Sequence, residues 1–401
     1  VKVALLSRAA HPLHAPGGLE RAVYHLARHL QALGVEPVLF TRPPSQPGRF
    51  PCEVVAVRYG ALRAGAHGRV LDRSLHYPAF ALRLGEAVAA RVQSGELDLV
   101  HAQGLCALGY ARLRRRDASL RAPLVMNPQG MEEHKTTGLK RLALTRLRRL
   151  SREAARLADR VIATDTASVD EVRRHLGVPP GKIVVLPNGI DAEEIRAATP
   201  ADARGVVQRA LPGLEAATPL FLSVGRLEAY KGFGDVLDAL VSLHLRDALP
   251  PAWAWAVVGV GPLERPLRRR AAALGARVRL VGRAPEPLLH ALYECADVFV
   301  HATRYEGSSL VTLEAMAHAL PVVATRAGGI PDKVSDGEQG RLVEPGDVAA
   351  LAAALAQLAG DPPLRRRLGE RARQRALAEF AWPALAPRTV ALYEELLGAR
   401  R

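Results

Sequence analysis

The sequence predicts an α/β protein of two domains, each a parallel sheet covered by helices on both faces. Three observations lead there. The chain has 401 residues, too many for one core and right for two domains of about 200. Short apolar runs alternate with helical patterns, and the rhythm breaks once, between Asp191 and Thr218, before it restarts. Hydrophobic residues make up 49% but aromatics only 4%, so Ala, Leu and Val must fill the cores. That palette suits buried parallel strands.

The opening reads strand, loop, helix. Lys2–Ser7 is an apolar run, a loop with Pro12, Pro16 and Gly17-Gly18 follows, and Ala22, Val23, Leu26, Ala27 and Leu30 then recur at helical spacing up to Gly34. Further strands are expected at 37–40, 54–57, 97–102, 124–126, 160–163 and 182–186. A basic amphipathic helix is expected over 139–160. Asn188-Gly189-Ile190-Asp191 marks a turn. In the second half strands are expected at 219–224, 253–258, 277–281, 297–301, 321–324 and 340–343, with helices at 310–318 and 347–358. A last helix carries Leu385, Val390, Tyr393 and Leu397. The expected division is 1–195, 196–378 and a closing helical segment 379–401. Two open parallel sheets place their crevices at the carboxyl ends of the strands, and loops of two facing domains would line one interdomain cleft.

Composition excludes several classes. Cys52, Cys106 and Cys295 form no CxxC pair, so neither a disulfide framework nor a zinc site is expected. No apolar run approaches the roughly 18–20 residues that cross a bilayer, and the run at Val3–Leu6 stops at Ser7-Arg8, unlike a secretory signal. A soluble, cytoplasmic protein is expected. The net charge of +15 is uneven: residues 1–200 hold 30 Lys and Arg against 18 Asp and Glu, and the remainder 25 against 22. Any anionic partner should therefore meet the first half. Coding bias is the bland competitor, since 49 of the 55 basic residues are Arg.

The strongest chemical signal is Arg304-Tyr305-Glu306-Gly307-Ser308-Ser309-Leu310-Val311-Thr312-Leu313-Glu314. It joins a strand to a helix. Gly307 allows close backbone approach, and amides around Ser308, Ser309, Leu310 and Val311 would form a helix N-terminus suited to phosphate. Glu306 in the loop and Glu314 one turn inside the helix can accept hydrogen bonds from sugar hydroxyls. Two acids eight apart also occur by chance, as an exposed loop residue and a capping residue.

The second signal, Gly225-Arg226-Leu227-Glu228-Ala229-Tyr230-Lys231-Gly232, puts two cations after a strand, where a diphosphate would need them. Either cation alone would read as a surface charge. With both present, no metal ion is needed to neutralise a leaving diphosphate, and no DxD pair is present to clamp one. Gly17 and Gly18 could admit a phosphate or simply start a helix. Arg283, after Val281-Gly282, lies where main-chain groups could read a base edge. Gly259-Val260-Gly261-Pro262 lacks the third glycine of a dinucleotide fingerprint, and neither a P-loop nor a GxSxG elbow occurs.

Taken together, Glu306…Glu314, Gly225-Arg226…Lys231-Gly232, Gly328-Gly329-Ile330-Pro331-Asp332, Asp336-Gly337…Gly340…Pro345-Gly346-Asp347 and Pro187-Asn188-Gly189-Ile190-Asp191 resemble the retaining family-4 glycosyltransferases. The match is dense over 182–347. Before that it rests on Gly17-Gly18-Leu19-Glu20 and on Asp98-Leu99-Val100-His101-Ala102, and Phe380-Ala381-Trp382 resembles the family's closing segment. The resemblance implies the glycosyltransferase-B architecture of two facing Rossmann-like domains, a nucleotide-sugar donor and transfer with retention. It implies that Glu306 contacts the donor sugar, that Glu314 holds the ribose hydroxyls, and that Arg226 and Lys231 hold the diphosphate. Gln129 stands where many relatives carry a His near the reacting sugar. A glutamine can hydrogen-bond the sugar but cannot act as a base. Glu132, Glu133 or His134 could then assist an acceptor, as could His101 on the acceptor side; each is equally an ordinary residue.

The competing classes are a nucleotide-sugar epimerase or phosphorylase on the same fold, and a basic nucleic-acid-binding protein. Against the last, basic residues are not interleaved with aromatics. The acceptor is expected to be a glycan or a lipid-linked molecule. The Arg-rich segment 139–160, with Arg112, Arg114, Arg115 and Arg116, suggests peripheral contact with an anionic membrane, with a solvated helix face as its competitor.

Overall fold

The computed structural model describes residues 1–14, 17–60, 72–129, 131, 134 and 142–399, with only the backbone at 73. The chain divides into two compact units, Val1–Asn188 with Trp382–Arg401, and Gly189–Ala381.

The first unit is built on a seven-stranded sheet: β1 (Lys2–Leu6), β2 (Glu36–Thr41), β3 (Glu53–Ala56), β4 (Leu99–Gln103), β5 (Leu124–Asn127), β6 (Arg160–Ala163) and β7 (Ile183–Val185). Their order is β3-β2-β1-β4-β5-β6-β7, and every pairing is parallel. Alternate residues of one strand enter different cores, because successive side chains leave opposite faces. Ala4 and Leu6 pack with Phe80, Leu84 and Tyr110. Val3 and Leu5 pack with Val23, Leu26 and Tyr393. Both faces are thus covered, which is why the strands read as unbroken apolar runs.

The second unit carries six strands, β8 (Leu220–Val224), β9 (Ala254–Val258), β10 (Val278–Gly282), β11 (Val298–His301), β12 (Val322–Thr325) and β13 (Gly340–Val343). Their order is β10-β9-β8-β11-β12-β13, again parallel throughout. Phe221 faces Trp255 and Leu237 in one core, while Leu220 and Leu222 join Tyr293 and Met316 in the other. Ile190 donates its amide to the Phe380 carbonyl at 3.0 Å, so the chain enters and leaves this unit side by side.

Several motif aspartates prove to be local braces. Asp191 accepts the amides of Glu193 and Glu194, both at 3.0 Å, and starts the helix Ala192–Ala198. Asp347 caps Val348–Gly360 through Ala350 N, and Asp336 accepts the Leu342 amide at the edge of β13.

The basic helix is shorter than its sequence pattern. It runs Thr145–Leu157, because Ala158 is extended and the Asp159 carboxylate takes the Leu124 amide at 2.7 Å, which turns the chain into β6. Residues 139–141 of that pattern lie outside the described residues. The closing helix, Trp382–Gly398, belongs to the first unit and buries Leu385, Leu392, Tyr393 and Leu396. Among the described residues, no helix is long and apolar enough to cross a membrane.

Candidate functional site

β8 and β11 are neighbours although β9 and β10 separate them in sequence. The chain leaves β8 toward one edge of the sheet and returns at β11 to build the other. At such a switch point the loops after the two strands diverge and leave a crevice. Those two loops, 225–232 and 302–309, carry the two strongest sequence motifs.

The loops are joined at the backbone. Arg304 donates its amide to the Tyr230 carbonyl at 2.7 Å, and the Thr303 hydroxyl lies 3.1 Å from the same oxygen. Gly232 has φ +71°, and a Cβ there would strike the Ala302 carbonyl, so only glycine permits this approach. Gly328, with φ +52°, does the same on the other side: a Cβ would collide with the Glu306 carbonyl. The Gly328-Gly329 motif therefore supports the loop that carries Glu306.

Glu306 is 12% exposed. Its Oε2 accepts from Lys231 Nζ at 2.7 Å and from His301 Nε2 at 2.5 Å, and its Oε1 accepts the Gly307 amide at 3.2 Å. Burial alone would raise its pKa. The hydrogen bond and electrostatic pull of His301, then of Lys231, outweigh burial and hold it at about 2. The carboxylate is thus ionised throughout the physiological range.

The rest of this loop departs from regular backbone geometry. Ser309 sits in the left-handed region at φ 33°, its hydroxyl 2.7 Å from that of Thr312, and the helix Leu310–Ala317 begins behind it. A non-glycine residue in that region is strained, and such strain is concentrated at binding sites. The Ser308 hydroxyl oxygen is buried with no protein partner. First-turn amides of a helix have no carbonyl of their own helix to bond, and they carry the positive end of its dipole. At Gly307 a Cβ would meet nothing within 4 Å, so the fold itself does not demand glycine there. Space beside the loop, rather than backbone conformation, is what Gly307 preserves. Glu314 lies further along the helix and accepts from the Tyr293 hydroxyl at 3.1 Å.

The two cations of the β8 loop differ in their surroundings. Lys231 is 12% exposed and engaged by Glu306, whereas Arg226 is exposed and donates to the Tyr230 hydroxyl at 2.9 Å. Arg283 is exposed after the edge strand β10, with β9 between it and β8. The Gly282 carbonyl beside it accepts the Gly259 amide at 2.8 Å.

In the first unit, Gln129 takes a left-handed φ of 55°, held by its amide on Asn127 Oδ1 at 3.1 Å. Its Nε2 donates to Gln103 Oε1 at 3.0 Å. It lines a cavity of about 280 Å³ with Ser7, Arg8, Glu20, Gln103 and Ser151. Gly17 is extended and precedes the helix Gly18–Ala32, with its carbonyl accepting the Arg21 amide; Gly18 is exposed. His101 is buried in β4, its Nδ1 2.6 Å from the Tyr393 hydroxyl, and burial pushes its pKa down to about 4. It joins the closing helix to the sheet and lines a small cavity with Gln103, Asn127 and Gln129. His134 is half-buried beside His175, ring centroids 5.0 Å apart, in a groove with Arg148, Arg149 and Arg152. Glu132 and Glu133 lie outside the described residues.

Three side chains on these sites are not anticipated by the motifs: His301, which holds Glu306; Tyr293, which holds Glu314; and Gln103, which holds Gln129. Only His301 left a trace in the sequence, as the polar last residue of the strand that feeds the motif.

Known proteins resemble both units of this chain. Residues 208–375 match the family described as glycosyl transferases group 1, and residues 16–194 match glycosyltransferase family 4. A D-inositol 3-phosphate glycosyltransferase of Streptomyces bingchenggensis is 33% identical over all of this chain and 90% of its own length. The sucrose-phosphate synthase of Thermosynechococcus elongatus superposes with a TM-score of 0.77 at 26% identity, covering 99% of each chain. HepE of Anabaena, solved with UDP and glucose, shares the fold with a TM-score of 0.72 at 20% identity, over 98% of this chain and 99% of that one. With two parallel-sheet α/β units, both family descriptions matched in order and a relative one-third identical along its whole length, the chain belongs to the family-4 glycosyltransferases of glycosyltransferase-B type.

Proposed function

We propose that this glycosyltransferase takes its sugar from a nucleoside-diphosphate sugar, transfers it to an acceptor hydroxyl with retention of anomeric configuration, and needs no metal ion to do so. The observation that carries this reading is the ionised Glu306 clasped by Lys231 and His301 beside a helix N-terminus. A carboxylate held ionised accepts hydrogen bonds from sugar hydroxyls, and the first-turn amides, the Ser308 hydroxyl and Arg226 can meet the diphosphate. Lys231 is placed to serve both, since its ammonium touches Glu306 and has donors to spare. Glu314 is assigned the ribose hydroxyls. Gln129, its amide aimed by Gln103, is assigned a hydrogen bond to a sugar hydroxyl.

In a front-face retaining transfer the leaving phosphate takes the acceptor's proton, so a glutamine at 129 is compatible with turnover. The acceptor is a hydroxyl of a glycan or a lipid-linked molecule. HepE, a neighbour in fold, binds UDP, in keeping with a nucleoside-diphosphate donor. The decisive measurement is a thermal shift with UDP, GDP, ADP and CDP, followed by the sugars of the winning nucleotide. Ligand bound only by the folded state at 100 times its Kd adds about 2.7 kcal/mol. A melting temperature unmoved by all four would defeat the donor assignment.

A further inference from the structure

Glu314 is a long side chain on a partly exposed helix face, and its helix does not determine where its carboxylate points. A neighbouring helix does. Tyr293, on Glu286–Cys295, is fully buried, and its hydroxyl lies 3.1 Å from Glu314 Oε2 and 3.4 Å from the Val311 carbonyl. The phenol has no room to swing. One face is stacked on His318, with centroids 5.4 Å apart and planes 8° from parallel, and Phe299 and His290 stand at 6.0 and 6.1 Å. His318 is itself fixed: Nδ1 lies 3.0 Å from Glu294 Oε2, and Nε2 lies 3.0 Å from His290 Nδ1. Burial, with the charge of Glu314, pushes the Tyr293 pKa well above its ordinary value, so the hydroxyl keeps its proton and remains a donor.

We propose that Tyr293 is a positioning residue for nucleotide recognition: its hydroxyl locks the Glu314 carboxylate in the orientation that accepts from the ribose, and so contributes to affinity and to preference for an intact ribose without touching the donor. This rests on Glu314 being the ribose-binding group. A tyrosine that only satisfied a buried carboxylate would affect stability alone. One that aims the carboxylate affects ribose selectivity.

The test uses whichever of UDP, GDP and ADP binds the full-length protein most tightly, with its 2′-deoxy and 3′-deoxy forms, by calorimetry on wild type, Tyr293→Phe, Glu314→Gln and the double variant. Phenylalanine keeps the ring and its stacking, and melting curves check that the variant is folded. Wild type should favour the ribonucleotide, and Glu314→Gln should remove most of that preference. Tyr293→Phe should weaken ribonucleotide binding about 3- to 10-fold, as expected for one lost hydrogen bond, and binding of the 2′-deoxy and 3′-deoxy forms by less. In the Glu314→Gln background it should change nothing further. If Glu314→Gln erases the preference and Tyr293→Phe leaves it whole, the positioning role is wrong and the ribose assignment stands. If Glu314→Gln itself leaves the preference intact, the ribose assignment falls, and the role of Tyr293 falls with it.

Discussion

Replacing Glu306 by glutamine should cost stability in a manner that depends on pH. The carboxyl is held at about 2 against an ordinary 4.5. A group whose pKa is depressed by folding stabilises the folded state above its unfolded value and loses that contribution as pH falls through its folded one. Each pH unit between the two values corresponds to about 1.4 kcal/mol, so ionised Glu306 contributes about 3 kcal/mol at neutral pH, about 2 at pH 3.5 and about 1 at pH 3. Glutamine keeps the size and one acceptor but cannot ionise, and it leaves Lys231 and His301 facing an amide. The stability gap between wild type and Glu306→Gln should therefore be near its full width at pH 5.5 and close by about two fifths at pH 3.5. For a unit of this size, 3 kcal/mol corresponds to about 6–12 °C in melting temperature. Urea titrations of both proteins at pH 5.5, 4.5 and 3.5 read the gap without any substrate. A gap that is constant across this range, or that widens in acid, would falsify the claim that His301 and Lys231 hold Glu306 ionised.

Lys231→Ala should weaken binding of the partner nucleoside diphosphate about 10- to 150-fold, the effect of losing one charge-assisted contact, as read by calorimetry. An unchanged affinity would mean that Lys231 serves Glu306 alone. Transfer should continue in excess EDTA; a complete loss restored by Mg²⁺ or Mn²⁺ would end the metal-free assignment. Gln129→Ala should lower the rate without adding or removing a limb in the pH–rate profile, because an amide does not titrate. A limb lost near neutral pH would overturn its place in the site. On the membrane question the structure narrows the surface: Arg112 is paired with Glu153, and Arg114 with Asp159, leaving Arg115, Arg116, Arg146, Arg149, Arg152 and Arg156 exposed. Each cation near an anionic bilayer is worth about 1 kcal/mol, screened over about 8 Å at physiological ionic strength. Co-sedimentation should show binding to anionic liposomes at low salt, none to neutral ones and release at high salt; equal recovery with both lipids leaves a solvated Arg face.

The features legible in the residues alone are local in origin. Period and burial are linked, so the apolar runs at 2–7, 219–224 and 253–258 announce buried parallel strands before any contact is known. Glycine and charge at fixed offsets after strands mark the two loops, 225–232 and 302–309, that the fold brings together. The glycines that the backbone itself demands are Gly232 and Gly328, each beside a carbonyl from a distant segment. Pairing across long separations emerges only when the chain folds. Lys231 meets Glu306 75 residues away, His101 meets Tyr393 across 292, and Arg112 is taken up by Glu153 across 41. A spacing pattern reports which residues share a strand or a helix face. It carries no information about which partner lies 3 Å away once two sheet neighbours are brought together, and those partners set whether a carboxylate is ionised, whether a histidine is withdrawn from solvent, and which arginines remain free to bind.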